Sequence, residues 1–202
     1  MQAGLPNRAR LWHDYGQMRQ NPRQDRAPKP LTPTALNDMA LRYVARFATS
    51  AAKLEHYLLR KIRERGWEGE GHAPVSAPVS AIVERFVAAG YVDDEVYARS
   101  KTGSLLRRGY GKRRIDQTLG AAGITEEVRD AVAAGEAELR GAALALARKR
   151  RFGPFGKADQ DRAVREKQLS AMLRAGHRLD MARELVNSSS IEAAEQWAAG
   201  DE

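Results

Sequence analysis

Asp93 and Asp94 stand side by side, and a carboxylate pair can divide general acid and general base work between its members. These two follow Gly90 and Tyr91 and lead into an apolar helical pattern. At that position Asp caps a helix and complements its first turn. We therefore expect capping, with Tyr91 and Tyr97 as core aromatics packed around the turn. Gly153-Pro154-Phe155-Gly156-Lys157-Ala158 imitates a phosphate loop, which needs a longer spacer between its glycines and a Ser or Thr after the lysine. Nucleotide binding is rejected on both counts. His13, His56, His72 and His177 fall in separate segments without ligand spacing, so no metal site is expected. No Gly-x-Ser-x-Gly elbow occurs. The residues point to a protein without a catalytic site or cofactor.

Positive charge is the stronger signal. Arg107, Arg108, Lys112, Arg113 and Arg114 place five bases within eight residues around Gly109-Tyr110-Gly111. They flank a helix start, whose free N–H groups attract phosphate. Tyr110 can stack on a base or pack under the loop. Arg60, Lys61, Arg63 and Arg65 end one helix and Arg148, Lys149, Arg150 and Arg151 end another, where cations also suit the helix dipole. A charge run is commonly only a solvated face. Acidic protein and DNA phosphate are equally suited as partners.

The elements that must position these residues all read as helices. Thr32 and Pro33 open a helix with Leu36, Met39, Ala40, Tyr43, Val44 and Phe47 on one face. Ser50 caps a second, carrying Leu54, Tyr57, Leu58 and Ile62 and ending at Gly66. A loop over 67–78 precedes a third helix with Ile82, Val83, Phe86 and Val87, which stops at Gly90. A helix then runs from the Asp93-Asp94 pair to about Arg108, and another over Lys112–Ala122 carries Ile115 and Leu119. Thr125 caps the next, with Val128 and Val132 facing inward. Later helices present Leu139, Ala143, Leu146 and Ala147, then Val164, Leu169, Met172 and Leu173, then Ala182, Leu185 and Val186. Ser189 and Glu192 have capping-box spacing before a last short helix containing Trp197. No alternation long enough for a strand survives.

Leu58, Ile62 and Gly66 match Ile115, Leu119 and Gly123 in spacing, and Met172 with Gly176 matches the end of the pattern. Glycine at such stops takes the left-handed conformation. We read an all-α, elongated tandem array of three three-helix repeats: 32–92, 93–135 and 136–188. Residues 1–31 read as a disordered basic tail and 189–202 as a short C-terminal helix or tail.

The chain has 202 residues, no cysteine and a net charge of +8. Six bases against two acids in residues 1–33 put half of that excess in a sixth of the sequence. The tail is too polar to offset its ordering entropy, although Leu11, Trp12 and Tyr15 can form a docking segment. The absence of cysteine fits a reducing compartment, and no apolar run approaches the roughly 18 residues of a membrane span. The N-terminus lacks the apolar stretch of a secretory signal. We expect a soluble, cytoplasmic protein, monomeric and without membrane contact.

Gly90-Tyr91-Val92-Asp93-Asp94-Glu95-Val96-Tyr97-Ala98 resembles the signature of the RecX family. Arg107 to Ile115, with Leu119, Gly123 and Ile124, resembles that family's next block. The likeness spans about residues 35–186. Gln117 stands where the family usually has an acidic residue and His177 where it has an aromatic, and the 67–81 loop is expanded. The resemblance implies a non-catalytic regulator that lies in the groove of the RecA–single-strand DNA filament and lowers ATP hydrolysis and strand exchange. It implies contact with DNA directly or through RecA. Two other readings stay open: a stand-alone nucleic-acid-binding protein, and a helical scaffold with an unrelated partner.

Overall fold

A computed structural model describes residues 29–69, 74–157 and 161–200. The basic tail over 1–28, with Leu11, Trp12, Tyr15 and His13, lies outside the described residues, as does His72. Among the described residues the secondary structure is helical, apart from one isolated bridge between Leu31 and Trp67.

The first repeat comprises α1 (Pro33–Val44), α2 (Ala51–Arg65) and α3 (Ser76–Ala88). Thr32 Oγ1 accepts the Ala35 N–H at 3.1 Å, and Ser50 Oγ accepts that of Lys53 at 3.3 Å. Each cap satisfies a donor that the first helical turn leaves free. Leu36, Ala40, Leu54, Leu58, Ile62, Val79, Ile82, Phe86 and Val92 form the core with Leu31, which is fully buried. Leu31 holds the Gly66 turn: its N–H donates to the Gly66 carbonyl at 2.9 Å, and its own carbonyl accepts from Glu68 at 3.0 Å.

The middle repeat comprises α4 (Asp94–Arg107), α5 (Lys112–Gly120) and α6 (Glu126–Ala131). Asp93 Oδ1 caps α4 by accepting from Val96 at 2.9 Å, and Thr125 caps α6. The core holds Tyr97, Ala98, Leu105, Leu106, Ile115, Leu119, Ala122 and Ile124. It continues into Leu139, Ala142 and Met181 of the following repeat.

The third repeat comprises α7 (Glu136–Arg150), α8 (Arg162–Arg174) and α9 (Leu179–Asn187), with a 3-10 turn at Gly153–Phe155. α10 (Ile191–Ala199) packs back on α7. Ala143, Leu146, Ala147, Met172, Ala182, Leu185 and Val186 form a separate core cluster within the third repeat, joined by Ala194 of α10.

Several expectations need correction. Phe47 lies beyond the end of α1 and is exposed, because the helix stops at Val44 before another turn can carry the ring inward. Val87 and Val164 are exposed as well, on helix faces turned from the cores. Tyr91 is 60% exposed and meets the Phe86 ring edge-on, at 5.5 Å between centroids. α3 starts at Ser76, so the end of the expected loop is helical. Ser190, not Ser189, caps α10: its backbone is extended and its Oγ accepts from Ala193 at 3.1 Å. That leaves Glu192 one position short of the capping-box site. In α8 the buried position eight residues before Gly176 belongs to Gln168, whose side chain accepts the Gly153 N–H at 2.9 Å.

Candidate functional site

Two joints place the charged segments. At the first, the N-terminus of α2 meets the middle repeat. Ser50 Oγ donates to the Ala122 carbonyl at 2.6 Å, and Asp94 Oδ1 accepts the Ala51 N–H at 2.8 Å. Lys53 Nζ donates to the Tyr97 hydroxyl at 2.9 Å. Asp94 thus supplies a cap to a helix of another repeat, beyond the first-turn charge its spacing suggested. Gly123, at φ +74°, faces Ala52, whose methyl would sit 2.2 Å from an added Cβ.

At the second joint, the N-terminus of α5 meets the α8–α9 turn. The Gly111 N–H donates to Ala175 at 3.0 Å and that of Arg113 to Gly176 at 3.2 Å. The Arg113 guanidinium donates to the Leu173 carbonyl at 2.8 Å, closing the C-terminus of α8. A Cβ on Gly111 would meet the Gly176 carbonyl at 2.5 Å, and one on Gly176 would lie 2.4 Å from the Arg114 nitrogen. His177 Nε2 lies 2.9 Å from the Gly109 carbonyl. The carbonyl can only accept, so Nε2 carries the proton. Burial pulls the pKa of His177 below its ordinary value, and the bond to Gly109 opposes that only partly. Nδ1 is buried without a partner.

This joint assembles a cleft of about 250 Å³. Arg108 and Tyr110 line it from the middle repeat; Lys149, Arg150, Phe152 and Arg174 line it from the third. The Arg108 guanidinium lies over the Tyr110 ring, 5.2 Å from its centroid. Among the described residues, none of these four cations has an acidic partner within ion-pair distance. Arg174 and Phe152 were not among the candidates read from the sequence. The one signal for Arg174 was a cation two residues ahead of the repeat glycine, as Arg65 is one ahead of Gly66.

The other candidates go elsewhere. Lys112 pairs with Asp116 at 2.9 Å, while Arg107 and Arg114 are exposed. Arg148 pairs with Glu195, and Arg151 ends α7 in the left-handed conformation at φ +58°. Arg60 and Lys61 share Glu64 and lie over the Tyr57 ring, and Arg63 is exposed beside them on the first repeat. Gly90, Gly123 and Gly176 all have positive φ, as turn residues do. No group of side chains able to hold a metal occurs among the described residues, and no helix among them is long and apolar enough to cross a membrane.

The comparisons agree with this architecture. The family model described as RecX, second three-helix domain, matches residues 93–132. Regulatory protein RecX of Myxococcus xanthus (strain DK1622) is 34% identical over 172 residues, which is 83% of this chain and 92% of the relative. Its counterpart in Agrobacterium fabrum (strain C58 / ATCC 33970) is 30% identical, covering 70% of this chain and 76% of that one. The crystal structure of RecX from Lactobacillus salivarius superposes with a TM-score of 0.58 at 16% identity, covering 76% of this chain and 94% of that chain. That last likeness speaks for the fold alone.

Proposed function

The chain belongs to the RecX family of regulatory proteins, and from that premise we propose that it binds the RecA–single-strand DNA filament in its groove and inhibits ATP hydrolysis and strand exchange. It acts by occupancy, without chemistry of its own and without a cofactor. The observation that carries this reading is the cleft, where two repeats turn four cations and two aromatic rings toward one space. A polyanionic surface is the complementary partner. An array of repeats touches several protomers at once, so weak contacts combine through effective concentration. The repeats are assigned to 32–92, 93–135 and 136–188, and the protein works in the cytoplasm as a monomer. Arg60, Lys61 and Arg63 form a second, lesser basic face on the first repeat.

RecA hydrolysis of ATP on single-stranded DNA tests the reading, with sub-stoichiometric protein added and binding to naked DNA measured at the same salt. We expect inhibition where naked DNA is barely bound. Unchanged hydrolysis with tight naked-DNA binding would give the case to a stand-alone nucleic-acid binder, which Tyr110 and Phe152 at the cleft also suit. Replacing Arg108, Lys149, Arg150 and Arg174 by Gln is expected to spare the fold and abolish inhibition. Full inhibition by that variant would move the site elsewhere.

A further inference from the structure

The basic cleft lies across the second joint. Tyr110 sits between Gly109, whose carbonyl is bonded to His177, and Gly111, whose N–H donates to Ala175. Arg174 immediately precedes Ala175, and Lys149 and Arg150 close α7 on the third-repeat side. The segments that carry the cations include those whose backbones make the joint. Like charges on its two sides push it apart, and an anion between them reverses the sign of that interaction. Arginine forks donate bidentately to phosphate, and lysine adds a point charge. The first joint has no such arrangement, since Asp94 meets a helix N-terminus and Lys53 a hydroxyl.

Taking the cleft as the partner site, we infer that a phosphodiester strand seated between Arg108 and the Lys149, Arg150 and Arg174 cluster is a strut that closes the second joint. Occupancy and closure are one event. Without the strand, the Gly111 and Arg113 amide bonds hold the joint against repulsion.

Amide hydrogen exchange on the full chain tests this, because exchange at Gly111 and Arg113 reads opening of the second joint and Ala51 reads the first. A short oligothymidylate is expected to slow Gly111 and Arg113 about tenfold while leaving Ala51 unchanged. The variant carrying Lys149→Gln and Arg174→Gln is expected to exchange about twofold more slowly than the parent before any ligand is added, and then not to respond. Arg108→Gln repeats the test from the middle repeat. Unchanged exchange at Gly111 under saturating oligothymidylate would overturn the strut, as would faster exchange in the unliganded variants. Equal protection by polyglutamate of matched charge would overturn the phosphate assignment. RecA hydrolysis on the same samples separates the two proposals. Inhibition with an unresponsive joint removes the strut and leaves the filament reading; a responsive joint without inhibition does the reverse.

Discussion

The first joint is closed largely by side chains, Ser50, Lys53 and Asp94, each reaching a partner in the other repeat or receiving it. The second is closed chiefly by backbone, with glycines on both sides and carbonyls taken by Gly111 and Arg113. Both set a helix N-terminus on the Gly turn of the next repeat. Ala122 and Ala175, each one residue before its glycine, accept the key bond. A side-chain joint can relax when one atom changes. A backbone joint has no such slack, since its contact surfaces are the chain itself.

Glycine substitutions test that difference most severely. Gly176→Ala is expected to cost about 3 kcal/mol or more in chemical denaturation, from a strained φ of +95° and backbone on the opposing side. No neighbouring truncation restores it. Gly123→Ala meets only the Ala52 methyl at close range, so adding Ala52→Gly is expected to leave just the backbone cost of about 1–2 kcal/mol. Equal rescue at both sites would erase the distinction.

Next in size is Asp94→Ala, which removes the inter-repeat cap of α2 and is expected to cost about 1 kcal/mol. Its exchange signature belongs at Ala51 and not at Gly111.

Mild acid acts on the second joint through His177. His177 has a folded pKa below its ordinary 6.5, so between the two values the unfolded chain binds more protons. Stability is complete above about 6.5 and falls as the pH drops toward the folded value, because a proton on Nδ1 has no acceptor. His177→Phe is expected to remove that slope in denaturation curves taken across the range. The smallest expected effect on stability is that of the cleft cations. Replacing all four by Gln raises it by no more than about 0.5 kcal/mol, because the repulsion across the cleft is lost.

Local features were legible because their causes are local. Thr32, Ser50, Asp93 and Thr125 cap their helices through atoms three residues away, and the apolar spacing of α2 is its buried face. The resemblance to RecX rested on the same kind of short-range pattern. What was hidden depends on long-range contact. The partner of Asp94 is 43 residues away, and the second partner of Ser50 is 72. Arg174 and Phe152 join the cleft only because α8 and the turn after α7 are brought against Gly109-Tyr110-Gly111. Of the five bases in that stretch, Lys112 and Arg113 are engaged within the protein, which charge counting cannot reveal. The exposure of Tyr91 escaped for the same reason, since an aromatic beside a turn reads as core until its neighbours are placed.

At the Gly66 turn Leu31 takes the place that a helix start holds at the other two, bonded on both sides and fully buried. A repeat inserted between the first and second would have to match the Ser50, Lys53 and Asp94 contacts, and one inserted between the second and third the glycine-to-backbone contacts. A helix start brought to the Gly66 turn would first have to displace Leu31 from its two backbone bonds.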